Sequence, residues 1–318
     1  MQQRLKVASL SLVLAFVAAG LPAQEKAQPA PQPPFEQLYR MPLVYSVPGM
    51  DKVEVRRDVV YKSVANSAAA GQGLGSTAQN AAKLELKLDA YIPAGAKERQ
   101  RFPMVVLISG GGADPPYDWR DAGVYQGYGR ALAASGFVAI TFSKRYARGA
   151  EGTLNGLEDF GDMVRYVRAN AGEFHVDPER MAFWAFSAGG FLLSPALSHV
   201  QPYARAAICF YCVTGTDFPS MTESDRARLT PVLSPLEQIE RSPKAPPPIF
   251  VGRAGWDSED LNRNLDRFIA AALAHDLNIE VLNHPHGRHS FDIIDDVPRT
   301  REIIQSAIEF LHRALAVE

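Results

Sequence analysis

The stretch that decides the fold is Arg180-Met-Ala-Phe-Trp-Ala-Phe-Ser187-Ala-Gly-Gly190, with Phe191-Leu-Leu-Ser-Pro-Ala-Leu197 behind it. Mostly apolar residues run into a serine set among small neighbours, and a helix-compatible stretch follows. The pattern predicts a strand, a sharp turn and a helix, with a hydroxyl at the apex. Only small side chains fit around such a strained elbow, and they also let a backbone N–H approach a developing oxyanion. The pentapeptide Ala185-Phe-Ser-Ala-Gly189 has alanine where G-x-S-x-G has its first glycine. Its weight comes from the strand before it and from two further segments in the right chain order.

The first of these is Pro103-Met-Val-Val-Leu-Ile-Ser-Gly-Gly-Gly112, a buried strand ending in three glycines. Polyglycine has no side chains to block a substrate, and it reaches the positive-φ conformations that turn N–H groups toward one point. Backbone donors aimed at a forming alkoxide lower an acyl-transfer barrier by about 3–4 kcal/mol each. Gly110, Gly111 and Gly112, with Ala188 after the serine, are the candidate oxyanion donors; a plain tight turn is the blander reading of the triplet. The second segment is Asn283-His-Pro-His-Gly-Arg-His289-Ser-Phe-Asp292, in a loop beyond a late strand-like run. His289 is the candidate base. His284 and His286 read as solvated loop residues, and with no carboxylate or cysteine cluster at zinc-like spacing no metal is expected.

With these residues in view, the chain resembles the α/β-hydrolase superfamily, in its esterase/lipase and dienelactone-hydrolase-like branch. The likeness rests on His175-Val-Asp-Pro-Glu-Arg180, the Ser-Ala-Gly-Gly elbow and the terminal Gly-x-His-x-Phe-Asp, and it covers roughly residues 55–315. It implies a triad in the order Ser187, acid, His289. Two departures matter. The glycine loop begins at Ser109 where relatives have His-Gly-Gly-Gly. Dienelactone hydrolases proper use a cysteine nucleophile, so their reaction does not carry over. For the acid, Pro247-Pro-Ile-Phe-Val-Gly-Arg-Ala-Gly-Trp-Asp257 puts an aspartate in the loop after a short apolar strand, at the end of the sheet where open α/β folds build their sites. Asp257 would accept the second ring N–H of His289. Its competing role is a helix N-cap, and Asp260, one turn on, is the other candidate acid.

Composition agrees with one large α/β domain over residues 51–318. The chain has 318 residues, 47% of them hydrophobic, with formal net charge −2, so a large core is available and no basic surplus points to nucleic acid. Residues 1–23 read as an export signal: Arg4 and Lys6 precede an apolar core over 7–19 that is too short to favour a membrane span. Residues 24–50 follow as an N-terminal segment whose prolines at 29–34 read as a spacer without a packing role. A periplasmic or secreted location is expected, with no stable membrane insertion once the signal is cleaved. Cys209 and Cys212, three apart on an apolar strand-like run, lie too far apart along it for a disulfide and read as two packed thiols.

Residues 53–62 and 84–92 alternate like half-exposed antiparallel strands, with an Ala-, Gly-, Ser- and Asn-rich insertion between them. Further strands are expected near 103–108, 137–142, 180–186, 205–211, 248–252 and 278–283. Helical stripes run through Leu154, Leu157, Phe160, Val164 and Val167, and through Ile303, Ile304, Ala307, Ile308 and Leu311. The βαβα order predicts a mainly parallel sheet with helices on both faces. Residues 213–246 read either as a lid over the serine or as a long surface connection with one helix near 233–239. The function expected from motifs and resemblance is hydrolysis of a small-molecule carboxylic ester through an acyl-enzyme, with no cofactor. A serine peptidase of related fold and a non-catalytic hydrolase-like binding protein are the alternatives. Oligomeric state is silent in the sequence.

Overall fold

The structure, a computed structural model, describes residues 31–65, 83–111, 118–145, 149–198, 201–241 and 246–315. The expected signal segment, most of the insertion after residue 62, and Gly112 lie outside the described residues.

A single eight-stranded sheet organises the chain: β1 (Glu54–Ala65), β2 (Lys83–Ile92), β3 (Phe102–Ile108), β4 (Val138–Phe142), β5 (Val176–Phe186), β6 (Ala204–Phe210), β7 (Ile249–Ala254) and β8 (Ile279–His284). The strand order is β1-β2-β4-β3-β5-β6-β7-β8. β2 pairs antiparallel with both β1 and β4, and every pair from β4 through to β8 is parallel. The two N-terminal strands are thus the antiparallel part, as the alternating pattern predicts. β4 is buried along its whole length, and so are the last five residues of β3 and the last six of β5. That is why these segments read as continuous apolar runs: a parallel strand covered on both faces has no side left for polar residues.

Helices cover both faces. On one lie α2 (Gly123–Ala134) and α9 (Pro298–Leu315), whose Leu132, Ile304 and Leu311 share a core with Val105, Leu107 and Trp184 of the sheet. On the other lie α3 (Gly149–Ala169) and α7 (Glu259–Ala274), whose Met163, Val164, Leu265 and Phe268 pack with Met104, Val106 and Phe183. Adjacent residues of β3 thus feed opposite cores, as the pleat requires. β3 leads out to β4 on one side while β5 returns to β3's other side. The chain therefore reverses direction at the β3–β5 pair, and the carboxyl ends of these two strands flank the crevice where open α/β sheets bind ligands.

Three expectations are corrected here. The N-terminal segment is more than a spacer: Gln32, within the proline run, donates from Nε2 to the His289 carbonyl at 2.8 Å, and after the run the short helix α1 (Phe35–Arg40) sets the Phe35 ring edge-on to Trp119 at 5.0 Å while the Tyr39 hydroxyl donates to the Asp118 carbonyl at 2.7 Å. Residues 213–246 hold two helices, α5 (Glu223–Leu233) and α6 (Pro235–Arg241), and not one. They bury Leu229, Leu233, Leu236 and Ile239 in the core beside α3 and α7. The start of the segment is tied down by Asn264, whose Oδ1 accepts the N–H groups of Thr214 and Gly215 at 2.8 and 3.1 Å. Third, His284 is not solvated. It ends β8 at 4% exposure, with Nε2 3.1 Å from the Thr300 hydroxyl, because the chain turns inward before His286 returns to the surface. Cys209 and Cys212 are free and buried, and the Cys212 thiol donates to the Ala185 carbonyl at 3.2 Å. Among the described residues no helix is long and apolar enough to cross a membrane.

Candidate active site

β5 delivers Ser187 to the end of the sheet. The serine has φ +51°, in the left-handed region, and a 3-10 turn (Ser187–Leu193) begins there. That is the strained apex the small-residue pattern predicts, and non-glycine residues held in this region concentrate at functional sites. The first N–H groups of a helical turn lack an intrahelical acceptor, which leaves the Ala188 amide available beside the hydroxyl.

His289 and Asp257 arrive from β8 and β7. Ser187 Oγ lies 2.9 Å from His289 Nε2, and His289 Nδ1 lies 2.6 Å from Asp257 Oδ2. A carboxylate has no proton to give, so Nδ1–H donates to it and Nε2 is left to accept from the serine. Asp257 Oδ1 also accepts the Ser258 amide at 2.8 Å. The capping role falls to the neighbour: the Ser258 side chain accepts from the Leu261 amide at the start of α7. Asp260 is turned away in an exposed ion pair with Arg263 at 3.0 Å. The structure therefore brings Ser187, His289 and Asp257 together across 102 and 32 residues of sequence.

The glycine loop lies directly on the elbow. A side chain on Gly110 would meet Ser187 Cβ at 2.7 Å and the Phe186 carbonyl at 2.8 Å, and one on Gly111 would meet the Trp119 indole nitrogen at 2.2 Å. Gly111 has φ +119°, so the position demands glycine on conformational grounds too. One correction concerns Gly110: its amide is already committed, donating to the Tyr125 hydroxyl at 3.1 Å in a buried bond. Gly111, the next residue of the loop, lines the cavity beside Ser187.

A cavity of about 320 Å³ opens beside these groups, lined by Gly111, Trp119, Tyr125, Phe186, Ser187, Tyr211, His289 and Ile293. A further part of its wall comes from Gln32, Phe35 and Leu38 of the N-terminal segment, and none of the described residues of 213–246 is found there. Gln32 Nε2 also donates to the His289 carbonyl at 2.8 Å. Sequence reasoning missed this wall because a proline-rich run has no periodicity to mark a packed face.

Beneath the imidazole sits a second group, assigned no role from sequence. The Tyr211 ring packs against His289 with centroids 4.7 Å apart. Its hydroxyl donates to Asp292 Oδ1 at 2.6 Å, and the Tyr128 hydroxyl donates to Oδ2 at 3.0 Å. Burial pushes the Asp292 carboxyl up to about 6, against the pull of the two phenols. The same burial and the nearby carboxylate drive both phenols well above their ordinary range. The only sequence signal was an acid three residues after the candidate base. No group of histidines, cysteines and carboxylates among the described residues is arranged to hold a metal ion.

A crevice at the strand reversal, a serine on a positive-φ elbow after the fifth strand, and an imidazole and carboxylate from the last two βα loops define an α/β-hydrolase fold. The family model BD-FAE matches residues 88–200, which span β3, the glycine loop and the serine elbow. Solved structures of Thermogutta terrifontis esterase 2 superpose with the same architecture. The form phosphoramylated by tabun is 22% identical, with TM-score 0.63, covering 85% of this chain and 98% of that one. The butyrate-bound form is also 22% identical, with TM-score 0.62 and the same coverage, and the apo form is 24% identical with TM-score 0.63. No curated protein sequence matches the chain. The chain has the α/β-hydrolase fold of these esterases, and its residues 88–200 are similar to the BD-FAE family.

Proposed function

We propose that this protein is a serine carboxylic ester hydrolase acting on small or medium acyl esters. The reading rests above all on the hydrogen-bonded series Ser187 Oγ, His289 Nε2, His289 Nδ1 and Asp257 Oδ2, with steps of 2.9 and 2.6 Å. Ser187 attacks the ester carbonyl while His289 takes its proton, and Asp257 holds the ring tautomer and stabilises the imidazolium. The oxyanion that forms is met by the amides of Ala188 and Gly111. His289 returns the proton to the departing alcohol, and water then opens the acyl-enzyme by the same route. A cavity of about 320 Å³ walled in part by aromatic rings suits a short or medium acyl group. The butyrate and propionate carried by two of the similar esterase structures support the same size range. The N-terminal signal reading supports a periplasmic or secreted site of action.

An alcohol burst followed by slower turnover is expected with activated esters. Ser187→Ala should lose at least about a thousandfold in kcat, and a fluorophosphonate probe should label wild type at Ser187. Absence of labelling with intact folding favours the binding-protein reading, and cleavage of peptides in preference to esters favours the peptidase.

A further inference from the structure

Three consecutive glycines cannot hold a donor in place by themselves, since glycine restricts its own backbone least of all residues. An oxyanion donor works only when it is oriented before the reaction. Something outside the loop must therefore fix it, and relatives that begin this loop with histidine have a side chain here that this chain lacks.

Lys144 grips the first residue of this loop. It lies just beyond β4, next to β3 in the sheet, and is 5% exposed. Its ammonium donates to the Ser109 carbonyl at 2.9 Å and to the Ser109 hydroxyl at 2.7 Å. The Ser109 carbonyl belongs to the peptide unit whose N–H is that of Gly110, and this N–H donates to Tyr125 at 3.1 Å. The plane of the 109–110 peptide is thus held from both edges, by Lys144 at oxygen and by Tyr125 at nitrogen. Only the dihedral angles of Gly110 then separate this fixed plane from the Gly111 amide, and Gly110 lies so near Ser187 and Phe186 that no side chain fits there.

We infer that Lys144, acting through Ser109, is the positioning residue that pre-orients the oxyanion loop. The inference rests on the ester-hydrolase reading above. The chemistry of the site favours this role over simple packing. Burying an amine is unfavourable, and burial draws this one down to about 7 although Asp118 and Asp159 oppose the shift. An apolar side chain would fill the space at lower cost but could not grip two oxygens of one residue.

The test uses the full chain, p-nitrophenyl butyrate as substrate, and an alkyl trifluoromethyl ketone as a reversible mimic of the tetrahedral oxyanion. Lys144→Met should lower kcat about 100-fold, the lower end of what losing one oxyanion donor costs, and leave KM within about threefold because ground-state binding is untouched. Affinity for the ketone should fall by the same factor as kcat. Ser109→Ala, which removes one of the two acceptors, should give a smaller loss of about tenfold with the same split. Should Lys144→Met fail to fold, Ser109→Ala decides alone. Either variant keeping kcat within about twofold overturns the inference, as does a loss of kcat without a parallel loss of ketone affinity. Wild type without Ser187-dependent ester turnover would instead overturn the parent reading, and this inference with it.

Discussion

Gly111→Ala probes the link between one missing side chain and catalysis. The added methyl would lie 2.2 Å from the Trp119 indole nitrogen and 2.8 Å from its Cδ1, where ordinary contact begins at 3.4 Å. The indole cannot swing clear, because Phe35, Tyr39 and Tyr125 meet it edge-on at 5.0, 5.8 and 6.3 Å. Loop or ring must therefore give by about 1 Å or more, enough to take an amide out of hydrogen-bond range. Losing one oxyanion donor costs about 3–4 kcal/mol, or about 10²–10³ in kcat. The unfavourable φ of +119° adds strain on top. Steady-state kinetics on a p-nitrophenyl ester, with urea unfolding alongside, measures both effects. Gly95→Ala separates them: Gly95 has φ +70° but nothing within 4 Å, so it should lose about 1 kcal/mol of stability with kcat unchanged. A folded Gly111→Ala enzyme retaining kcat within about threefold refutes the oxyanion assignment of this loop.

Two further outcomes follow from the site. Asp257→Asn preserves shape but reverses the ring's hydrogen bond, and kcat should fall by about 10⁴ while urea unfolding changes little; a loss below about tenfold would return the acid's role to Asp260 or another group. Asp292→Asn addresses the buried carboxyl whose pKa rises on folding from 3.8 to about 6. A carboxyl raised by folding holds its proton more tightly in the native state, so it favours folding at acid pH and that contribution is lost as pH climbs from about 4 to 6. Over that window wild type should lose about 3 kcal/mol relative to the asparagine variant, measured by urea midpoints at several pH values. Parallel stability curves for the two proteins would contradict the burial account.

Local chemistry made much of this legible. Continuous apolar runs marked β3 to β7, because strands covered on both faces tolerate nothing else. Ser187 was readable because a strained elbow excludes large neighbours. Asp257 was readable from its place after an apolar strand, and His289 from its place beyond the last one. The helical stripes through Phe160, Val164, Ile304 and Leu311 fell where their spacing put them, since burial on one helical face leaves a 3.6-residue period. What failed was whatever depended on partners remote in sequence. The proline-rich segment shows no periodicity, yet Phe35 and Leu38 wall the cavity. Residues 213–246 hold two helices where one is expected, because their apolar side chains pack beside α3 and α7 and Asn264 fixes their start.

The amino-acid order alone therefore determined the layered fold and the serine elbow and narrowed the acid to Asp257 or Asp260, because each is written in the steric and hydrophobic needs of a short stretch; the folded chain put Asp257, not Asp260, on His289. Only the folded chain decided that Gly110 gives its amide to Tyr125, that Lys144 grips Ser109, and that Asp292 sits between two phenols under the imidazole ring. These depend on side chains from different strands meeting in a water-poor interior. There a polar group's value is set by the partner beside it, and short-range sequence carries no record of that partner.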